Sequence, residues 1–169
     1  LIHGTTWSSK EWPLRFWQVL ADLMVEDGYR VLLPAGSEAE KLTAEAIIGD
    51  LPGEVLFGKS LFELTEIISR SAGAVSVDSG LGHLAVALGL PVIGLYGATD
   101  PVLTGVWGPA ASIIVSDHLP CIPCKKRECS FVIEEYSSSI YPPCFSQTSP
   151  ERVWQALQLQ IGSKDTRPG

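Results

Sequence analysis

Positive charge is scarce in this sequence: 12 Lys and Arg stand against 19 Asp and Glu, for a net charge of −7. That balance opposes a ligand held by broad electrostatics along a phosphate backbone, which excludes nucleic acid as a partner. Long apolar runs are missing as well. Stretches such as Val92–Leu95 and Ile113–Val115 are short and broken by Gly, Pro or Ser, far below the roughly 20 residues of a membrane span. Leu1–Lys10 lacks the basic start, apolar stretch and small-residue cleavage site of a secretory leader, so the cytoplasm is the expected compartment. The chain opens without Met on "LIHGTT", and reads as the middle of a longer protein. The loop after this opening lacks the G-x-G-x-x-G of a dehydrogenase, and no phosphate-binding P-loop is read elsewhere.

What is present is an alternation of short apolar runs with amphipathic stretches, the mark of βαβ units and a parallel sheet. With 46% hydrophobic and 18% charged residues over 169 positions, the chain has the composition and length of one folded α/β domain. The pattern predicts a Rossmann-like, doubly wound sheet of about six strands with helices on both faces. Strands are expected at Leu1–His3, Arg30–Leu33, Val55–Phe57, the "AGAVSVD" run, Val92–Tyr96 and Ser112–Val115. A helix over Pro13–Glu26 buries Trp17, Leu20, Ala21 and Met24, spaced by three and four, and Gly28 closes it. Further helices are expected from about Ser37 to Ile48, from a Ser60/Glu63 capping box to Ser69, over Leu81–Leu88, and from Ser149–Pro150 through Ile161. The domain thus covers residues 1–162, with an irregular Cys-rich excursion over 117–147 and a disordered tail over 163–169.

In such a sheet, ligands bind beyond the carboxyl ends of the strands, where loops enter helix N-termini. "DSGLGH" stands at that place after the fourth strand. Unpaired N–H groups and the positive dipole end there suit an anionic phosphate beside Ser79 and Gly80. Gly80 and Gly82 let backbone approach a ligand, and His83 lies in the helix's first turn. Asp78 and Ser79 are also ordinary N-cap residues, but capping needs one polar side chain and this turn supplies three. In "HGTTWSSKEWP", the Thr5 and Thr6 hydroxyls and Lys10 follow the first strand. A doubly wound sheet brings that loop beside the one after strand four, and Lys10 is either a mobile charge for a phosphate or a solvated surface lysine. In "PAGSEAEK", Glu38 and Glu40 are candidates to hold ribose hydroxyls, or are N-terminal acids complementing the helix dipole.

Taken together, "HGTTWSSKEWP", "LLPAGSEAE" and "VSVDSGLGHLAVALGLPVIGLYGATDP" resemble, in order and spacing, the carboxyl-terminal half of the lipopolysaccharide heptosyltransferases, closest to the heptosyltransferase I type. The likeness covers most of Leu1–Pro109 and extends more loosely to the final helix. It implies half of a GT-B glycosyltransferase of family 9, whose carboxyl-terminal domain binds an ADP-heptose donor. The amino-terminal acceptor domain is absent from this chain. By resemblance, Thr5, Thr6 and Lys10 contact the donor phosphates, with Lys10 supplying charge to the transition state. Glu40 holds the ribose, and Asp78, Ser79, Gly80 and His83 surround diphosphate and sugar. Ser79 stands where the family carries Thr, which keeps the hydroxyl. The implied reaction is inverting transfer of heptose to Kdo-lipid A at the cytoplasmic face of the inner membrane. It takes no cofactor, and its general base lies in the amino-terminal domain.

Cys121, Cys124, Cys129 and Cys144 allow a tetrahedral zinc site, a disulfide on oxidation, or reduced free thiols. Their spacing is not that of a standard zinc module, and chemistry of this family needs no metal. Lys125, Lys126 and Arg127 form the one basic cluster, suited to an anionic lipid headgroup or to a solvated loop. Two rival functions share the sheet: a related transferase with a different nucleotide sugar, and a non-catalytic nucleotide-binding or redox module centred on the cysteines.

Overall fold

The structure, a computed structural model, describes residues 1–116, 118–131 and 140–165, with side chains through residue 162. Among the described residues five strands form: β1 (Val31–Ala35), β2 (Gly53–Phe57), β3 (Ala74–Val77), β4 (Val92–Tyr96) and β5 (Ala111–Val115). β1 pairs in parallel with β2, and β3, β4 and β5 make a second parallel sheet in that order. The expected first strand is reduced to one residue. Ile2 makes an isolated parallel bridge to Ser76, its N–H donating to Val75 O at 2.8 Å and its carbonyl accepting from Val77 N at 3.2 Å. On the other side, the Leu1 nitrogen donates to Leu32 O at 2.6 Å. Leu1 and Ile2 therefore join the half-sheets, and the spatial order is β2, β1, Ile2, β3, β4, β5. Five strands and a bridge replace the expected six because only Ile2 has ladder partners on β3.

Six helices, α1 (Leu14–Glu26), α2 (Glu38–Ile48), α3 (Leu61–Ser69), α4 (Gly80–Ala87), α5 (Pro101–Thr104) and α6 (Pro150–Asp165), cover the described chain. Period-two alternation in the strands divides them between two cores. Val75, Val77, Ile93 and Leu95 face one core with Trp17 and Leu20 of α1, Ile47 of α2 and Leu157 of α6. Ala74, Val92 and Tyr96 face the other with Ile68 of α3 and Ala85 of α4. β3 and β4 are buried along their whole length, as central parallel strands covered on both faces must be. Trp12 locks the first core at its edge. Its ring meets Trp17 edge-on at 4.8 Å, and its indole N–H donates to Thr148 O at 3.1 Å.

Local signals account for the helix starts. Ser60 and Glu63 make the expected capping box, Ser37 caps α2 by accepting from Glu40 N, and Gly28 adopts φ +84 after α1. α5 is a short helix that the sequence reading did not include. Asp100 caps it by accepting from Val102 N, and Pro101 opens it. α6 continues to Asp165, so residues 163–165 are helix and not tail, because nothing in "GSKD" stops the ladder that Pro150 begins. Residues 166–169 lie outside the described chain, as do 117 and 132–139 of the Cys-rich excursion.

One sequence pattern is overruled by the fold. Gly53–Ser60, "GEVLFGKS", spells G-x-x-x-x-G-K-S, although no P-loop was expected from this sequence. Its first five residues are the strand β2, leaving too little loop to wrap a phosphate. The N–H of Ser60 is already bound to Glu63 Oε2 at 2.8 Å, and Lys59 pairs with Glu63 at 3.8 Å.

Gly53 itself is fixed by packing, since a Cβ there would collide with the carbonyl oxygen of Val31 across the β1–β2 ladder. Gly53→Ala is expected to cost about 1–3 kcal/mol, read as a lower melting temperature in thermal denaturation; an unchanged midpoint would contradict this register.

Candidate functional site

All strands are parallel, so their carboxyl ends share one edge. There the chain order reverses between Ile2 and β3, the topological switch point at which open α/β sheets bind ligands. The loop after Ile2 runs through Gly4–Trp7 into a 3-10 turn, Ser8–Lys10. Lys10 reaches across the switch point: its Nζ donates to Asp78 O at 3.0 Å and lies 3.6 Å from Asp78 Oδ2. The two side chains are only 13% and 11% exposed, so the pair is held largely out of water. The loops after the first and fourth expected strands thus meet.

The turn at Asp78 is not a capping arrangement. Ser79 is the N-cap of α4 yet makes no side-chain cap bond; its hydroxyl lies 3.2 Å from that of Ser76. Asp78 turns to Lys10 and to Thr104, whose hydroxyl donates to Asp78 Oδ2 at 3.3 Å. The amino end of α4 therefore keeps N–H groups that no side chain occupies, the arrangement suited to an anion. A Cβ on Gly80 would meet open space, whereas one on Gly82 would lie 2.5 Å from Ser76 Oγ. Gly82 accordingly serves close packing of α4 on β3, in place of the approach to a ligand expected for it.

Glu40 flanks the same loop. Its Oε2 accepts from Gly36 N at 2.7 Å, its carbonyl lies 3.0 Å from His3 Nε2, and its Oε1 would be 2.6 Å from a Cβ on Gly4. Burial pushes the His3 imidazole below its ordinary pKa, against a smaller opposing effect of the Glu40 carbonyl. Glu38 instead pairs with Lys41 at 3.6 Å on an exposed surface. Of the acids in "GSEAE", Glu40 is the one packed against the first loop. Thr5 brings a buried hydroxyl with no hydrogen-bond partner, while Thr6 and His83 are exposed and hydrogen-bond to none of these groups through their side chains.

Several site residues escaped the sequence reading. Thr104 is one, and Tyr96 fixes it: the buried phenol donates to Thr104 O and accepts from Val106 N, both at 3.0 Å. Burial, with the charge of Asp78, raises the Tyr96 pKa well above that of an ordinary phenol, which keeps it a neutral donor. Thr99, on the loop after β4, has a second buried hydroxyl without a partner. The only local signal for this group is "TDP", the cap of α5.

The Cys-rich excursion packs on the same edge. Lys125 N donates to Ala98 O at 2.7 Å and Lys125 Nζ lies 3.2 Å from Asp100 Oδ2. Ser9 N donates to Arg127 O at 3.1 Å, Ser8 Oγ to the same carbonyl at 3.3 Å, and Ser9 Oγ to Lys126 O. The basic cluster is therefore tied to the Lys10 loop. Cys121, Cys124, Cys129 and Cys144 are free thiols that line one pocket of about 20 Å³ behind Ala98. Burial, with the neighbouring cysteines, pushes the Cys144 thiol up to about 12. Among the described residues, no three His, Cys, Asp or Glu stand where they could hold a metal ion, so the tetrahedral zinc reading gains no support from this geometry. No helix among the described residues is long and apolar enough to cross a membrane.

A cavity of about 500 Å³ is lined by Leu1, Val31, Gly73 and Ala74, at the amino ends of the strands, and by Pro34 and Leu56. It touches none of the groups above.

Comparison with known proteins agrees with this architecture. Lipopolysaccharide heptosyltransferase 1 of Pseudomonas aeruginosa is 36% identical over 172 residues, spanning 98% of this chain and 48% of its own length. The Escherichia coli K12 protein of the same name is 39% identical over 108 residues, 63% of this chain and 34% of its own. This chain therefore spans about half or less of the curated relatives it matches. A structure of E. coli heptosyltransferase WaaC with ADP superposes with a TM-score of 0.66 at 35% identity, over 69% of this chain and 37% of that one. E. coli ADP-heptose lps heptosyltransferase II shares the fold over 98% of this chain and 46% of its own, with a TM-score of 0.77 at 22% identity. Residues 1–133 match the family model described as glycosyltransferase family 9 (heptosyltransferase), and the chain belongs to that family.

Proposed function

We propose that this chain is the donor-binding half of a heptosyltransferase that moves heptose from ADP-heptose to the Kdo-lipid A inner core of lipopolysaccharide. The observation that carries the reading is the Lys10–Asp78 contact across the switch point. It joins a cationic side chain to the uncapped amino end of α4. A diphosphate seated there accepts from the free α4 N–H groups and from the Thr5 hydroxyl, which has no other partner. Glu40, beside Gly4, takes the ribose hydroxyls.

In the transfer, the bond between heptose and diphosphate breaks, and negative charge grows on the leaving ADP. Fixed donors stabilise that charge because they need no reorientation as it develops. Lys10 is one such donor, and Asp78 orients it. His83, exposed on the first turn of α4, is assigned to the sugar in this reading. The acceptor hydroxyl attacks the opposite face of the sugar, which inverts the anomeric centre, and its proton passes to an acid of the amino-terminal domain of the same enzyme. The reaction runs at the cytoplasmic face of the inner membrane and calls for no cofactor.

Calorimetry of the chain with ADP-heptose, ADP and UDP-sugars side by side tests the donor. ADP and its heptose should bind, and UDP-sugars should bind at least tenfold more weakly; preference for UDP would assign a different nucleotide sugar. Lys10→Ala and Asp78→Ala should each weaken ADP-heptose binding by roughly 10-fold or more with the circular dichroism of the fold retained. Indifference to both changes, combined with metal or redox titration of the thiols, would favour the Cys-centred module. The chain alone should transfer no heptose to acceptor; turnover by the isolated chain would refute the division of labour between domains.

A further inference from the structure

Lys10 is already neutralised in part by Asp78, 3.6 Å away. A diphosphate is a polyanion and the protein carries a net charge of −7, so a site built on that pair alone lacks positive charge. The nearest supply is the basic run 125–127. Lys125 is spent on Asp100, and Lys126 Nζ donates to Ser130 Oγ at 2.9 Å. Arg127 differs from both. Its Cζ lies 5.6 Å from the centre of the Trp7 ring, and Lys10 Nζ lies 5.1 Å from the same ring. The two cations are thus within one indole's reach of each other. Among the described residues no carboxylate makes an ion pair with Arg127.

The backbone of Arg127 is also fixed. Its carbonyl accepts from Ser9 N and Ser8 Oγ, on the 3-10 turn that ends in Lys10. A guanidinium held on an aromatic face beside a phosphate-binding lysine is pre-organised for bidentate contact with phosphate oxygens, which an ammonium cannot make. We propose that Arg127 is a second phosphate-binding residue of this site. It supplies from the Cys-rich excursion the unpaired positive charge that the Lys10–Asp78 pair lacks, with Trp7 as the platform between the cations. The inference rests on the reading that a nucleoside diphosphate sugar occupies the site.

The test is calorimetry of the 169-residue chain and its Arg127→Gln and Arg127→Lys variants with ADP, adenosine and inorganic pyrophosphate. Arg127→Gln should weaken ADP and pyrophosphate by roughly 10-fold or more, Arg127→Lys should recover part of the loss, and the melting temperature and any adenosine binding should stay unchanged. Equal affinity of Arg127→Gln and wild type for ADP and pyrophosphate overturns the proposal. So does a loss shared equally with adenosine, or accompanied by a lowered melting temperature, which would mark a structural role. If the wild-type chain binds pyrophosphate but not ADP, the nucleotide reading fails while Arg127 is still judged on pyrophosphate. If it binds neither, both fall.

Discussion

A lysine bonded across a reversal of strand order holds this domain's functional edge together. The Lys10 side chain leaves one half of the sheet and ends on Asp78 of the other, so the loops after Ile2 and β3 are joined by a shielded ion pair. Such pairs add little net stability, because desolvation offsets attraction, but removing one partner strands a buried charge. The contact is better understood as a positioning device. It fixes where a positive charge stands relative to the amino end of α4, and Thr104, itself held by the Tyr96 phenol, donates to the same carboxylate oxygen. Asp78 Oδ2 is thus engaged by Lys10 and Thr104 together.

The excursion is the second contributor to that edge. It is irregular and rich in Cys and Pro, yet its described parts tie both to the Lys10 turn and to the loop after β4. Cys144 fits against Gly97 so closely that a Cβ there would be 2.7 Å from its sulfur. Its described parts therefore pack as a wall along that edge. Charge that looks dispersed along the chain becomes concentrated, because Lys10, Lys125 and Arg127 gather at one rim of an acidic protein.

Much of the fold was legible because its causes are local. The short apolar runs "AVSV" and "VIGLY", the Ser60/Glu63 box and Gly28 after α1 each act within a few residues, and each appears as expected. That the Lys10 loop adjoins the Asp78 turn was legible too, since the order of βαβ units dictates which loops meet at a switch point; the direct contact between the two side chains was not. Other features depend on partners distant in sequence. Whether Ser79 caps its helix or faces Ser76 is settled by tertiary packing, as is the role of Gly82. Thr104 comes to Asp78 only through α5 and the Tyr96 phenol, and the Trp7–Arg127 contact spans most of the chain. No spacing rule encodes contacts of that kind.

The bridge at Ile2 has a consequence for register. Leu1 packs into one core and Ile2 into the other, and the backbone bonds of these two residues alone join β1 to β3 among the described residues. A slip of one residue against Ser76 would exchange those side chains between faces and carry the threonine loop about 3.3 Å along the sheet. The placement of the Lys10 loop is thus governed by two aliphatic side chains, Leu1 seated in one core and Ile2 in the other.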